Sequence, residues 1–276
     1  MLVRGEYKML INDHFQNFKQ YNIPRAQLVI ADVPYNIGIN AYGSNPAWYI
    51  DGDNKNGESK LAGTEFFDTD KDFRITEFLH FCSRLMKKEP KQRGDAPCML
   101  MFCEFEQQFE IIEKAKKYDI NGYINLVFRK NFSAQVLKAN MRIVGNAEYG
   151  LVLYRDKLPK FNNHGKMIFN IIDWESDDNN GLYEKIHPTQ KPVKLLEKLI
   201  KIFTDEGDVV IDPVAGSGST LIAAENLNRK AFGFECKKHF YKPAAEWIES
   251  NRIAREEIKK YGFAMTLANK EQPTLF

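Results

Sequence analysis

The chain of 276 residues is 43% hydrophobic and 28% charged, enough for a large core, and its net charge of +2 by itself indicates no partner. No run of about 18 apolar residues exists and residues 1–15 lack a signal-peptide pattern, so we expect a cytoplasmic protein that neither spans a membrane nor is exported. The four cysteines form no C-x-x-C pair and the five histidines no zinc-like spacing, so we expect reduced thiols and no metal.

Short apolar strands alternate along the chain with amphipathic helices. This alternation predicts an α/β fold with a doubly wound, mostly parallel sheet covered on both faces. One helix is expected to carry Pro192 in its first turn. The predicted strands are AQLVIAD (26–32), PCMLMFC (97–103), YINLVF (123–128), DVVID (208–212) and KAFGFEC (230–236), and the predicted helices are FLHFCSRLMKK (78–88), EQQFEIIEKAKKY (106–118), KPVKLLEKLIKIF (191–203) and STLIAAENLN (219–228).

The first of these strands ends in a combination of residues that packing alone does not require. A carboxylate at Asp32, a fixed bend at Pro34 and an aromatic ring at Tyr35 meet at one strand tip. Pro34 also restricts Val33 to an extended conformation. The residues that follow, about 36–65, are rich in glycine and asparagine and show no sustained period. They predict a mobile loop, either a functional lid or an insertion.

The middle of the chain is basic. Between residues 121 and 170, eight lysines and arginines occur with only two acidic residues. Such a run is commonly a solvated face, but here aromatic residues alternate with the charges, as a surface that meets phosphates and bases requires. The candidate nucleic-acid contacts are Arg129, Lys130, Lys138 and Arg142.

A second strand tip, in residues 208–226, runs into a glycine-rich turn and a helix. Gly216 and Gly218 allow positive φ and a close backbone approach to a ligand. Leu221 replaces the third glycine of a dinucleotide fingerprint, and no phosphate-binding lysine is present. Glu235 ends the next strand, 17 residues beyond Gly218, near the spacing at which an acid binds ribose hydroxyls. The pattern indicates an adenosine ligand without phosphates.

Three segments together resemble the amino-methyltransferases of DNA, which transfer a methyl group from S-adenosylmethionine to the exocyclic nitrogen of adenine or cytosine. Residues 32–35 resemble the family's D-P-P-Y, residues 187–192 match H-P-T-Q-K-P, and residues 212–219 resemble D-P-F-x-G-S-G-T. LVFRKN and NAEYGLVLY resemble the strand pair that precedes target recognition. Their order is typical of the family's β class, and the resemblance covers residues 7–250.

The resemblance implies the Rossmann-like fold of S-adenosylmethionine-dependent methyltransferases, in a single domain over residues 1–276. It places an inserted target-recognition region at about 125–185 and a cofactor-binding half at about 186–250. The implied activity is methyl transfer to N6 of an adenine flipped out of double-stranded DNA, with Asp32 rather than serine favouring adenine. Homodimers are common in the resembling class.

The resemblance also implies roles for individual residues. Asp32 and the main-chain carbonyl of Val33 each accept one N–H of the target amino group, Pro34 fixes the backbone, and Tyr35 stacks on the base. We expect His187 to be structural. The implied cofactor-binding residues are Asp32, Thr189, Gln190, Lys191, Asp212, Pro213, Ala215, Gly216, Ser217, Gly218, Thr220 and Glu235.

Two positions depart from the family pattern: Val33 stands where proline is usual, and Val214 where phenylalanine is usual. Val33 favours a catalytically silent DNA-binding partner subunit, whereas the retained Asp32 and Tyr35 oppose it. N4 of cytosine is the alternative target. A nicotinamide-dependent oxidoreductase would need the missing pyrophosphate site. A methyltransferase of RNA or of a small molecule would not predict the basic segment.

Overall fold

A computed structural model of the chain describes residues 9–35, 73–131, 135–138, 143–175, 177, 186, 187 and 189–270. The predicted mobile loop at 36–65 lies outside the described residues, as does Arg142. Lys138 is described only in its backbone. In the described part of the chain, no helix is long and apolar enough to cross a membrane. The same residues contain no group of three or more His, Cys, Asp or Glu side chains that could hold a metal ion.

Ten strands and five α-helices make up the described structure. The strands are β1 (Leu10–Ile11), β2 (Leu28–Asp32), β3 (Cys98–Cys103), β4 (Gly122–Arg129), β5 (Gln135–Lys138), β6 (Ile143–Gly145), β7 (Ala147–Tyr154), β8 (Ile171–Asp173), β9 (Val209–Asp212) and β10 (Lys230–Phe234). The helices are α1 (Ile75–Leu85), α2 (Gln107–Ala115), α3 (Val193–Phe203), α4 (Ser219–Asn226) and α5 (Lys238–Lys270), with 3-10 segments at Phe15–Tyr21 and Lys116–Tyr118.

Eight strands form one sheet in the order β1-β10-β9-β2-β3-β7-β4-β8. Neighbouring strands are parallel except at β7, which runs antiparallel to both β3 and β4. A separate antiparallel pair contains β5 and β6. The mostly parallel sheet confirms the predicted fold class. The sequence did not predict β1, β5, β6 and β8, because strands of two to four residues are too short to show a period.

Both faces of the sheet are buried, as the continuous apolar strands predict. Side chains alternate along β2, so Leu28 and Ile30 enter the core under α3, α4 and α5, whereas Val29 and Ala31 enter the core under α1 and α2. Polar groups are therefore accommodated at the strand ends. The chain leaves β2 toward β3 and leaves β9 toward β10, in opposite directions, and ligands bind in such sheets outside the carboxyl ends at this reversal.

The start of α3 corrects one expectation. Pro192 is not in the first turn but at the N-cap, where its ψ of 134° is extended. The first N–H groups of the helix, those of Val193 and Lys194, donate to the two carboxylate oxygens of Asp177, at 3.0 and 3.1 Å. A residue from the predicted target-recognition region thus caps a helix of the predicted cofactor-binding half.

Candidate active site

Three acids lie at the same edge of the sheet because β2, β9 and β10 are parallel neighbours. Asp32 is the last residue of β2, Asp212 is the last residue of β9, and Glu235 follows β10 directly. The charges of Asp32 and Glu235 both act on Asp212. The structure therefore brings together the two strand tips that the sequence singled out separately.

A buried lysine joins the tip of β2 to a second acid. The Lys191 ammonium lies 2.5 Å from Oδ2 of Asp32 and 2.8 Å from Oε1 of Glu148. The Tyr35 hydroxyl bridges the same two carboxylates, donating to Oδ1 of Asp32 at 3.0 Å or to Oε1 of Glu148 at 2.7 Å. The Lys191 and Glu148 side chains are only 8% and 9% exposed, so these contacts are shielded from water.

A second lysine completes this charge network. Lys130 lies 2.6 Å from Oε2 of Glu148, with its ammonium 4.5 Å from the centre of the Trp174 ring. The Lys191 ammonium lies 5.1 Å from the centre of the Phe102 ring. Two ammonium groups thus balance two carboxylates, which offsets the cost of removing four charges from water.

Burial and pairing have opposite effects on these groups. Burial raises the pKa of Asp32, while Lys191 and Tyr35 act to lower it. Burial would also raise the pKa of Glu148, but Lys191 and Lys130 together hold it at about 2. Burial alone would lower the pKa of Lys191, yet the two carboxylates raise it above its usual value. Glu148 is thus the permanently ionised centre of the network.

Sequence reasoning missed Glu148. Its segment, NAEYGLVLY, was recognised only as a strand, and no role was given to the acid. One feature of the sequence does indicate it: Glu148 lies on the same face of β7 as Gly150 and Val152, so an acid occupies an inward position of an otherwise apolar strand.

The glycine turn between β9 and α4 has the predicted backbone. Gly216 and Gly218 have φ of +50° and +79°, and the Gly216 N–H donates to Oε2 of Glu235 at 3.1 Å. A Cβ on Gly216 would approach the His187 ring to 3.6 Å, whereas one on Gly218 would meet Ile248 at 2.8 Å. The positive φ at 218 therefore favours glycine, and the close approach of Ile248 from α5 adds to that preference.

The acids beside this turn are fixed by different donors. Glu235 also accepts from the N–H of Lys237 at 2.8 Å. Burial raises the pKa of Glu235, and these backbone donors oppose the shift. Burial raises the pKa of Asp212 to about 7, opposed by hydrogen bonds from the Thr220 hydroxyl and the Val214 N–H. Asp212 is a buried acid that a nearby positive charge would readily ionise.

The other predicted cofactor residues surround this edge. Thr189 donates its N–H to Nδ1 of His187 at 3.3 Å, and Gln190 accepts from the N–H of Ile186 at 3.1 Å. From Asp212 to the first turn of α4, the predicted residues are buried except Gly216, which is half-buried; they are Pro213, Ala215, Gly216, Ser217, Gly218 and Thr220.

The positively charged side chains of the basic segment, residues 121–170, differ in their surroundings: some contact the body of the protein and others do not. Arg155 donates to the carbonyls of Ser83 and Lys87, and Lys160 contacts carboxylates at 205 and 208, so these charges hold the segment to the body of the protein. Arg129 is exposed and pairs with the equally exposed Asp173 at 2.6 Å. Of the four predicted nucleic-acid contacts, Arg129 lies on the surface and Lys130 in the buried network.

Comparisons with known proteins agree with this arrangement. A family model described as DNA methylase, covering N6 and N4 methyltransferases, matches residues 26–246, and the chain therefore belongs to this family. DNA adenine methyltransferase YhdJ of Escherichia coli strain K12 is 26% identical over 93% of this chain and 88% of its own length.

Solved structures share the fold at low sequence identity. The crystal structure of M1.HpyAVI superposes with a TM-score of 0.59 at 20% identity, covering 87% of this chain and 98% of that protein. The PvuII DNA methyltransferase, described as cytosine-N4-specific, also gives a TM-score of 0.59, at 17% identity, over 90% of this chain and 91% of its own. The overall fold is thus shared with a methyltransferase described as cytosine-N4-specific, so the fold does not by itself distinguish the target base.

We expect the unliganded Asp212→Asn variant to be more stable than the wild type, with the larger gain at high pH. Asn keeps an acceptor for the Val214 N–H but carries no charge. Since the folded-state pKa of about 7 exceeds the usual 3.8, wild-type stability falls as the pH rises from 3.8 through 7. The gain in unfolding free energy should be greater at pH 8 than at pH 5 by on the order of 2 kcal/mol.

Urea unfolding at the two pH values measures this difference. The exposed Glu206→Gln variant, which removes a surface carboxylate, is measured beside it as the control. An equal gain for Asp212→Asn at both pH values would contradict the raised pKa of Asp212.

Proposed function

We propose that this member of the DNA methylase family transfers a methyl group from S-adenosylmethionine to the exocyclic N6 of an adenine flipped out of double-stranded DNA. The observation that carries the proposal is the charge network at the end of β2, where Asp32, Tyr35 and Lys191 meet beside the reversal point of the sheet. The similarity to YhdJ over nearly the whole chain supports adenine as the target base.

The residues at the ends of β9 and β10 fit this methyl donor. When bound, it would supply a methyl group to the target nitrogen and leave as the neutral thioether, and the proton that the nitrogen loses would pass to water. The fixed carboxylate of Glu235 suits ribose hydroxyls, and the buried Asp212 suits a ligand with positive charge. We assign cofactor binding to Asp212, Gly216 and Glu235; the other cofactor residues implied by the resemblance stay predictions.

The tip of β2 supplies two acceptors for the target amino group. Asp32 accepts one N–H and the main-chain carbonyl of Val33 accepts the other, so the nitrogen lone pair is directed at the methyl group. Lys191 opposes the effect of burial and favours the carboxylate form of Asp32. Tyr35, hydrogen-bonded to Asp32 and Glu148, supplies the ring that stacks on the extruded base.

We assign DNA binding to the region at about 125–185, through Arg129, Lys138 and Arg142. Lys130 differs because its side chain is only 14% exposed and pairs with Glu148. We assign to Lys130 the support of that carboxylate, and its contact with DNA stays a prediction. Association of two chains into a homodimer also stays a prediction.

Methylation of DNA with labelled S-adenosylmethionine tests the proposal directly. Unmethylated duplex DNA is incubated with the enzyme, digested to nucleosides and separated by mass spectrometry. We expect N6-methyladenine. N4-methylcytosine would overturn the assignment of the base. Binding of both substrates without any methylated base would overturn the proposed activity in favour of a silent DNA-binding subunit.

We expect Asp32→Ala to lower kcat at least about 100-fold, the scale on which enzymes lose rate when one preorganised hydrogen-bonding group is removed. S-Adenosylmethionine binding should persist, since the residues assigned to the cofactor lie at the ends of β9 and β10 and Lys191 keeps its contact with Glu148. Single-turnover kinetics and isothermal titration calorimetry measure the two properties. Asp173→Ala, an exposed acid, is the control. Loss of cofactor binding together with activity would contradict the assigned role.

We expect Arg129→Ala to weaken binding to all duplex sequences and to reduce the slope of log K against log salt by about 1. Its exposed pair with Asp173 holds it weakly, so the guanidinium is available to a phosphate. Fluorescence anisotropy over a salt series measures the slope. Arg84→Ala is the matched control, because Arg84 is an exposed arginine at the far end of α1, toward the opposite edge of the sheet. An unchanged slope would remove Arg129 from the binding surface.

A further inference from the structure

The backbone hydrogen bonds between β2 and β3 end one step early, just beyond Asp32 at the tip of β2. In a parallel pair, donors and acceptors alternate at regular steps along the two strands. The Val33 N–H donates to the carbonyl of Phe102 at 3.4 Å, so the next step would be the Glu104 N–H donating to the carbonyl of Val33. Instead, the Glu104 N–H donates to Oε1 of Gln107 at 3.0 Å.

The same glutamine also holds the neighbouring peptide. Nε2 of Gln107 donates to the carbonyl of Pro34 at 2.9 Å. The side chain begins α2 and is only 8% exposed, so water does not compete effectively for either bond. The buried side-chain amide of Gln107 therefore accepts the Glu104 N–H, which would otherwise donate to the Val33 carbonyl. The same amide donates to the carbonyl of Pro34 and fixes its orientation.

We propose that Gln107 is a positioning residue that keeps the main-chain carbonyl of Val33 open to the target amino group. The inference rests on the proposed function, in which that carbonyl is the second acceptor. A carbonyl bonded to Glu104 would be turned toward β3 and would have one lone pair fewer for the substrate. Gln107 does not touch the base; it acts through Glu104, Val33 and Pro34.

This role of Gln107 also bears on position 33, where valine stands in place of the family's usual proline. The ring of Pro34 restricts Val33 to an extended conformation from one side, but valine has no ring to fix its own φ. The bond from Gln107 to the Pro34 carbonyl holds the peptide that follows Pro34, so the chain is fixed on the far side of the proline as well. A side chain at the start of α2 thus supplies some of the rigidity that a second proline would give.

Gln107→Leu tests the role, with Gln108→Leu as the matched control. Gln108 lies in the same turn of α2, is also 8% exposed, and has no hydrogen bond to the tip of β2 among the described residues. We expect Gln107→Leu to lower kcat about 10-fold to 100-fold, with KM for DNA and the Kd for S-adenosylmethionine unchanged. Gln108→Leu should keep the wild-type kcat, even if its unfolding temperature falls by as much as that of Gln107→Leu.

Gln107→Glu separates the two halves of the glutamine's role. It keeps an acceptor for Glu104 but loses the donor to Pro34, so it should retain more of kcat than Gln107→Leu. Equal losses in these two variants would overturn the part played by Glu104. An unchanged kcat in Gln107→Leu, with wild-type DNA methylation established, would overturn the whole inference and leave the proposed function intact.

A crystal structure of Gln107→Leu gives a readout that does not depend on activity. We expect the Glu104 nitrogen to move within hydrogen-bonding distance of the Val33 carbonyl oxygen, extending the ladder by one step. An unmoved Glu104 would overturn the inference. A wild-type enzyme that methylates no DNA would separately overturn the proposed function.

Discussion

The contact of the Lys191 ammonium with Asp32 and Glu148 is the interaction on which the candidate active site depends. It joins three segments that are far apart in the chain: the end of β2, the antiparallel strand β7 and the residues before α3. Removing one partner would leave a buried charge without compensation, which costs far more than an exposed pair contributes. The network therefore fixes where the tip of β2 lies relative to both halves of the protein.

The sheet explains why the network lies at this edge. Both faces of β2 are filled by apolar side chains, so charged groups can be accommodated only where the strands end. The chain leaves β2 and β9 in opposite directions across the sheet, which is where ligands bind in such folds, and Asp32, Asp212 and Glu235 lie at that same edge. Burial and pairing then give the acids of the site different properties: burial raises the pKa of Asp212 to about 7, whereas Glu148 on β7 stays ionised because two lysines contact it.

The basic character of the middle segment has two physical roles. Arg155 and Lys160 use their charges to attach the segment to α1 and to the turn before β9, and Lys130 supports Glu148. Asp177 attaches the same region to α3 by capping its first turn. The predicted recognition region is thus held to the body by charged contacts, and only part of its positive charge is left for a polyanion.

The sequence by itself determined the buried strands, the main helices, the mostly parallel sheet, the acid and aromatic ring at the tip of β2, and the left-handed glycines of the turn. These features depend on local periodicity, on the conformational freedom of glycine and on motifs read along the chain. Only the tertiary structure decided the roles of Glu148, Gln107 and Asp177. Each of these side chains acts on a residue of another element, Glu148 and Gln107 across more than 40 positions of the chain and Asp177 across 16. Whether such a side chain reaches its partner depends on strand register and helix placement, which no local pattern encodes.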